Sequence, residues 1–354
     1  MKIVFCGLSI TSSWGNGHAT NYRALVRELS DRGHEVVFCE REVPWYANHR
    51  DMPEPPWGRT SLYASVEELK AWHSGDVAEA DLVVVGSYVP EGVAVCEWVL
   101  ENAGGATAFY DIDTPITLEK LRAGDREYLS PELVGRFDLY LSFTGGPTLD
   151  VLEREFGARR ALAFYCLVDP YAYRPLRVEP QWELGYLGTY SADRQPGLER
   201  LLLEPASLSR QSGFVVAGPE YPAAIEWPAN VERIEHVPAA EHMSFYAAQR
   251  FTLNVTRSQM REVGWSPSVR LFEAAACAVP VISDRWDGLD QIFAPDREIL
   301  IADGAEDVLD FLREVDEEER RALGERARHR VLAEHTATRR CEQLEEEVTG
   351  ALVT

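Results

Sequence analysis

Short apolar runs rich in Val, Ile and Phe alternate with longer stretches of helical periodicity, and the alternation runs through the chain twice. Runs at 2–6, 35–39, 81–85, 107–110, 139–142 and 161–165 are apolar on both faces, with helical stretches such as 20–32 and 91–102 between them. Strands of that kind must be covered on both sides, and connections this long join parallel neighbours. At 169–182 the texture changes: Pro170, Pro175 and Pro180 break both helix and sheet. The alternation then restarts at 184–187, 214–217, 231–234, 251–255, 279–283 and 299–301. The expectation is an α/β chain with two doubly wound domains, at 1–168 and 183–330, joined by a linker at 169–182. A length of 354 residues suits two domains of roughly 150 each. The charged stretch 317–348 predicts one or two amphipathic helices at the end.

Composition narrows the function. With 35 Lys and Arg against 58 Asp and Glu, the net charge is −23, so the long-range field repels phosphate backbones and anionic lipid. Broad nucleic-acid binding is not expected. Apolar stretches such as 82–85 fall far short of the roughly 18–20 residues that span a bilayer, and the chain opens directly on a strand, so neither an integral membrane protein nor a signal peptide is expected. The cysteines (Cys6, Cys39, Cys96, Cys166, Cys277, Cys341) are scattered and lack the C-x-x-C spacing of zinc or redox sites, which suits a reduced, cytoplasmic chain. Lysine occurs only at positions 2, 70 and 120, so the positive charge is nearly all arginine, the side chain that grips phosphates and carboxylates bidentately.

Gly15-Asn16-Gly17-His18-Ala19-Thr20 opens the first helical stretch, and Glu40 ends the next run, a pattern that invites a dinucleotide reading. The spacing opposes it. A dinucleotide fingerprint needs its glycines immediately after the strand, whereas residues 7–14 intervene, and Thr20 stands where Gly or Ala belongs. A flexible loop of Gly15, Asn16 and Gly17 at the carboxyl end of a strand still faces the ligand edge of a doubly wound sheet and can embrace a substrate. His18 at its junction with the helix is a candidate general base; the plain alternative is a capping or solvent-facing histidine. Asp111-Ile112-Asp113-Thr114-Pro115 follows another strand. Such a pair can hold a divalent metal, supply a base, or merely cap a turn. No further acidic or His cluster lies nearby in sequence, so no metal site is expected. Asp113 joins His18 as a catalytic candidate, and Asp111 joins the acceptor side. Trp45, Tyr46 and Trp57 in the loop 44–59 are placed to stack on an acceptor, or else on one another.

The second half holds the densest pattern. After Leu253-Asn254-Val255-Thr256-Arg257 comes Trp265-Ser266-Pro267-Ser268-Val269-Arg270-Leu271-Phe272-Glu273. Pro267 suits the first helical position, which would aim free N–H groups at the preceding loop and make a diphosphate pocket. Arg270 and Glu273, three apart, share one helix face. Arginine grips phosphate and a carboxylate accepts from a ribose diol; the alternative is a simple ion pair between the two.

The stretch from Leu271 through Glu273, Ala274-Ala275-Ala276-Cys277-Ala278 and Val279-Pro280-Val281-Ile282 resembles the nucleotide-sugar helix and following strand of GT-B glycosyltransferases of the group 1 type. Gly185-Tyr186-Leu187-Gly188-Thr189-Tyr190, 253–257 and 266–273 are similar to their spore-maturation CgeB-like branch. Arg32-Gly33-His34-Glu35-Val36 and Val168-Asp169 extend the likeness over most of the chain. The resemblance implies two Rossmann-like domains facing a cleft, acceptor in the first and donor in the second, with a last helix at 331–354 crossing back to the first. It implies that Glu273 meets the ribose, while Gly188, Thr189, Ser266 and Ser268 surround the diphosphate. Arg257 and Arg270 are the phosphate candidates, with Arg194 third; Tyr190 adjoins them, and His236, Val237 and Pro238 would flank the base. Two positions depart from the pattern: Trp265 stands where many such enzymes carry a Glu, and Ala278 where Gly is common.

The expected activity is therefore metal-independent transfer of a sugar, with a hexose foremost, from a nucleoside diphosphate donor to a hydroxyl-bearing acceptor. UDP or dTDP sugars are favoured as co-substrate, and no separate cofactor is expected. His18 or Asp113 would take the acceptor proton if the anomeric centre inverts; if it is retained, the leaving phosphate could do so. Rival readings are a sugar-nucleotide epimerase or phosphorylase on the same frame, and a non-catalytic sugar or nucleotide sensor or coat component.

Overall fold

The structure, a computed structural model, describes residues 1–353. It divides into two compact units: Met1–Leu167 with the C-terminal helix from Ala337, and Val168–Thr336. Among the described residues the first unit carries a seven-stranded sheet built from β1 (Lys2–Gly7), β2 (Glu35–Arg41), β3 (Arg59–Tyr63), β4 (Leu82–Gly86), β5 (Ala106–Asp111), β6 (Leu139–Ser142) and β7 (Ala161–Ala163). All are parallel, in the order β3-β2-β1-β4-β5-β6-β7. The second unit carries β8 (Trp182–Leu187), β9 (Phe214–Ala217), β10 (Val231–Ile234), β11 (Gln249–Asn254), β12 (Val281–Ser283) and β13 (Leu300–Ile301), also parallel, in the order β10-β9-β8-β11-β12-β13. Both sheets reverse direction once, between β1 and β4 and between β8 and β11. In doubly wound sheets ligands collect outside the carboxyl ends of the strands at such a point.

The apolar runs supply the cores. Val4, Cys6, Val83, Val85 and Phe109 pack under the helices on one face of the first sheet, and Leu184, Phe214, Val216, Phe251, Leu253 and Ile282 do so in the second. All the cysteines are buried thiols. Among the described residues no helix is long and apolar enough to cross a membrane.

Three boundaries differ from expectation. The edge strand β3 and the helix Val66–Glu79 occupy sequence with no apolar alternation; there His73 ties the two together, meeting Ser61 Oγ at 2.9 Å and the Asp76 carboxylate at 2.9 Å. The proline-rich stretch is folded into the second unit, where Val168 bridges Thr336 and Tyr173 is buried. Residues 331–334 finish the helix Glu317–Glu334 of the second unit, so the terminal helix starts at Ala337 and not at 331. The break falls at His335, whose ring stacks on Phe272 at 4.4 Å and so holds the chain out of helical geometry. The helix Ala337–Val353 lies on His18–Asp31, where Glu345 accepts from Arg32 and His34 and is drawn down to about 2 by the Arg32 hydrogen bonds. Thr354, last of the expected helix, lies outside the described residues.

Candidate active site

In the second unit the reversal of strand order is straddled by one side chain. Arg270, on the helix Val269–Ala276, is 8% exposed, and its guanidinium lies 4.5 Å over the Tyr186 ring. Its Nε donates to the Leu187 carbonyl at the end of β8 (2.6 Å), and its Nη1 to Asn254 Oδ1 at the end of β11 (2.8 Å). The third nitrogen, Nη2, makes no hydrogen bond among the described residues and lies beside Gly188, where an added Cβ would stand 2.8 Å from it. A buried cation fixed at two corners with one nitrogen over is organised for an anion at a strand-end crevice. Arg270 turns to Leu187 and Asn254, whereas Glu273 turns to Tyr246 and His242.

Ser268 is the N-cap of that helix, so Pro267 precedes the cap and does not occupy the first helical position as expected. The cause is extended backbone at Ser268 (φ −82°, ψ 152°), whose hydroxyl donates to Asn254 Oδ1 (2.8 Å). Asn254 thus gathers Ser268 and Arg270, and its amide also reaches Thr256 and Ser283. Ser266 is buried just upstream. Trp265 takes a left-handed φ of 45°, and its ring lies where any side chain at Gly288 would be. Ala278 also takes left-handed backbone (φ 57°), which explains why glycine suits that position.

Around the strand ends, Thr189 offers its carbonyl to Arg194 (2.8 Å), Arg257 stands 3.7 Å from the Asp193 carboxylate, and Tyr190 packs edge-on to Tyr221. Just past the ends of β8 and β9 the two chain segments approach so closely that Gly218, at φ 140°, is needed, since a Cβ there would meet the Gly188 carbonyl at 2.0 Å. Arg233, between Tyr221 and Trp227, pins the same turn by donating to Val216 and Gly218.

One turn further along the helix, Glu273 is buried and accepts from the Tyr246 hydroxyl (3.0 Å), with His242 Nδ1 at 3.7 Å. His242 Nε2 meets the Val237 carbonyl (3.1 Å), so the end of β10, where His236 and Val237 lie, and the Glu273 carboxylate belong to one neighbourhood. Asn254, Tyr246 and His242 escaped the sequence reading. Asn254 had a signal, a polar residue closing an apolar strand; the other two reach the site only through tertiary packing.

In the first unit the loop after β1 is braced over residues 9–13. Glu40, fully buried at the end of β2, accepts from the Ile10 and Thr11 amides (2.8 and 3.0 Å) and from the Ser9 and Thr11 hydroxyls (3.0 and 2.6 Å). A carboxylate so filled has no capacity for a dinucleotide ribose. Arg23 adds a bidentate pair to Asp51 and a bond to the Ile10 carbonyl. Burial alone would raise Asp51, but Arg23 and Ser13 hold it down at about 2. Glu40→Gln sets an NH2 group against donors and is expected to cost about 2–4 kcal/mol of stability. Urea denaturation of both proteins measures it, and equal midpoints would show that Glu40 does not brace the loop.

Gly15 and Gly17 are exposed on this braced loop, Asn16 is buried, and His18 begins the helix with its ring 5.5 Å from Phe143 beyond β6. Asp113 is the N-cap of Thr114–Arg122 and accepts from the Tyr88 hydroxyl (3.0 Å). Asp111 is fully buried, and its carboxylate accepts from Tyr140 (2.6 Å), Thr117 (2.8 Å) and the Asp113 amide (3.3 Å). It holds the turn that carries Asp113 and does not face a ligand. Burial raises Asp111 to about 6. Its folded value therefore exceeds the unfolded one, so native protein binds the extra proton and stability falls as pH rises from about 4 to about 6. Asp111→Asn removes that slope: the stability of wild type relative to the variant should drop by about 2–3 kcal/mol between pH 4 and pH 7. A difference independent of pH would refute the burial argument. Trp45 is half exposed beside Gly15. Among the described residues no group of three or more His, Cys, Asp or Glu is set to hold a metal ion.

Residues 194–346 match the model of a family described as "Glycosyl transferase-like". No curated protein matches the sequence. Among solved structures, the chain is similar to a sucrose-phosphate synthase from Thermosynechococcus elongatus (15% identity, 99% of this chain and 100% of that one, TM-score 0.71). It is similar to Anabaena HepE in complex with UDP-glucose (12%, 99% and 100%, TM-score 0.72) and to an alpha-glucosyltransferase in complex with UDP and DNA (14%, 98% and 99%, TM-score 0.72). The fold is that of GT-B glycosyltransferases, as the alternation of strands and helices and the sequence resemblance led us to expect.

Proposed function

We propose that the chain is a glycosyltransferase that moves a hexosyl group from a nucleoside diphosphate sugar, UDP or dTDP being favoured, to a hydroxyl-bearing acceptor without a divalent metal. The observation that carries this reading is Arg270, buried across the ends of β8 and β11 with Nη2 directed past Gly188. There it neutralises the β-phosphate as the bond from C1 to the phosphate oxygen breaks, helped by the N–H groups that open the helix at Ser268. Glu273 accepts from the ribose, and the end of β10 meets the base. Arg257, Arg194, Thr189 and Tyr190 line the diphosphate and sugar. The UDP complexes of structures with the same fold support a uridine donor.

The acceptor is taken by the first unit. Its oxygen forms the new bond to C1, and its proton passes to His18, to Asp113 or to the departing phosphate. The finer likeness to the CgeB-like branch rests on the stretches quoted from the sequence, and a reducing compartment suits the buried thiols. The test is release of UDP or dTDP from their hexose conjugates, in EDTA, with a pool of hydroxyl acceptors. Turnover that needs the acceptor supports transfer; a rearranged donor without acceptor points to epimerisation; tight nucleotide binding with no turnover points to a sensor.

A further inference from the structure

The braced loop of the first unit has a partner. Segment 43–58 is laced to it by Ser12 Oγ donating to the His49 carbonyl (2.8 Å), Met52 N–H to the Thr11 carbonyl (3.1 Å), Arg50 to Thr11 Oγ1 (3.0 Å) and Ser13 to Asp51 (2.7 Å). Two loops so joined form one preorganised wall, and its aromatic groups adjoin one another. Trp14 and His49 stack in parallel at 4.3 Å, His49 lies 6.4 Å from Trp45, and His49 Nδ1 meets the Trp45 carbonyl at 3.0 Å. Trp45 is 50% exposed, and Gly15, at φ 59°, passes it so closely that a Cβ would stand 3.6 Å from the indole. The residue after Gly15 is Asn16, 4% exposed. Its Oδ1 accepts from the His18 amide (3.1 Å), while its Nδ2 is buried with no hydrogen-bond partner among the described residues.

A buried donor without an acceptor is costly unless a ligand completes it. An exposed indole with an unfilled amide donor nearby suits one chemistry: a ring with an apolar C–H face to lie on the indole and hydroxyl oxygens at its rim to receive Nδ2–H. A phenol offers the indole a flat face but only one acceptor oxygen, whereas a pyranose carries hydroxyl oxygens all round its rim, so one of them can meet Asn16 while a C–H face lies on Trp45. We propose that the Trp14–His49–Trp45 wall and Asn16 bind a pyranose ring, so that the acceptor is a saccharide or glycoside. The proposal rests on the transferase reading for its role but not for its binding.

Saturation-transfer NMR on the full chain tests it, with methyl β-glucopyranoside, methyl α-mannopyranoside and cellobiose as saccharide probes and p-nitrophenol as the phenolic one. The variants are Trp45→Ala, Asn16→Ala and, as a control on the helix Val66–Glu79, Trp72→Ala, which is also exposed. At least one saccharide should bind wild type and lose about tenfold in affinity in Trp45→Ala and severalfold in Asn16→Ala, with Trp72→Ala unchanged. Saccharide binding that is indifferent to Trp45, or p-nitrophenol binding with no saccharide bound, overturns it. UDP titration of the same samples separates the two readings. UDP binding without saccharide binding removes this proposal alone; saccharide binding lost in Trp45→Ala without UDP binding removes the transferase reading alone.

Discussion

Replacing Arg270 by alanine is expected to lower kcat/KM for the nucleotide-sugar donor by about 10²- to 10³-fold, equivalent to about 2.7–4 kcal/mol of transition-state stabilisation. The size follows from the setting. A guanidinium held by the Leu187 carbonyl and Asn254 needs no reorganisation when charge develops on the departing diphosphate, and little water competes for it. Arg270→Lys keeps the charge but cannot donate to β8, β11 and a phosphate from one rigid fork, so most of the loss should persist. Gly188→Ala gives a second route to the same defect, because its Cβ would crowd Nη2 while leaving the cation in the chain. Removing Arg270 also takes the Nε donor from the Leu187 carbonyl and one of two donors from Asn254 Oδ1, so the rate is compared at temperatures where circular dichroism shows the variant folded. Donor kinetics unchanged in a folded Arg270→Ala protein would take the diphosphate away from this helix.

Glu273→Ala should weaken nucleotide binding by about 1–3 kcal/mol, since a ribose hydroxyl brought into a buried place would lose its acceptor. The carboxylate also receives the Tyr246 hydroxyl, so a purely structural role is a specific rival, and Tyr246→Phe separates the two. That variant removes the donor and leaves the carboxylate. Calorimetric titration with UDP should find Tyr246→Phe close to wild type and Glu273→Ala roughly five- to 150-fold weaker. If both variants lose affinity equally, Glu273 serves to position Tyr246 and the ribose lies elsewhere.

The sequence disclosed those parts of the fold that local pattern determines. Strands apolar on both faces, such as Leu82–Gly86 and Leu253 with its neighbours, are legible because a parallel sheet covered on both sides has no other solution. The edge strand Arg59–Tyr63 was not legible, since three of its five residues, Arg59, Thr60 and Ser61, are polar and give no apolar run. Position after a strand marked Asp113 as a strand-end residue, while the helix motif marked Arg270 and the family resemblance marked Gly188. Their partners were not readable: Arg270 and Glu273 share a helix face, yet Arg270 turns to the ends of β8 and β11 and Glu273 to the helix His242–Ala247, a choice made by Asn254 and Tyr246 from elsewhere in the chain. The glycine loop misled in the same way. Two exposed glycines suggest mobility, but the restraint comes from Glu40 and Asp51, distant in sequence. The start of the Arg270 helix shifted because Ser268 bonds across to β11 and leaves Pro267 outside.

On the reading proposed above, the second unit holds a nucleoside diphosphate through Arg270 without a metal. Isothermal titration of UDP into the full chain in EDTA, for wild type and Arg270→Ala, tests it most directly. Saturable binding to wild type, unchanged when magnesium replaces EDTA, and at least about tenfold weaker binding to Arg270→Ala are expected. Equal affinity of the two proteins, or binding of UDP and dTDP to wild type only with magnesium, would contradict it.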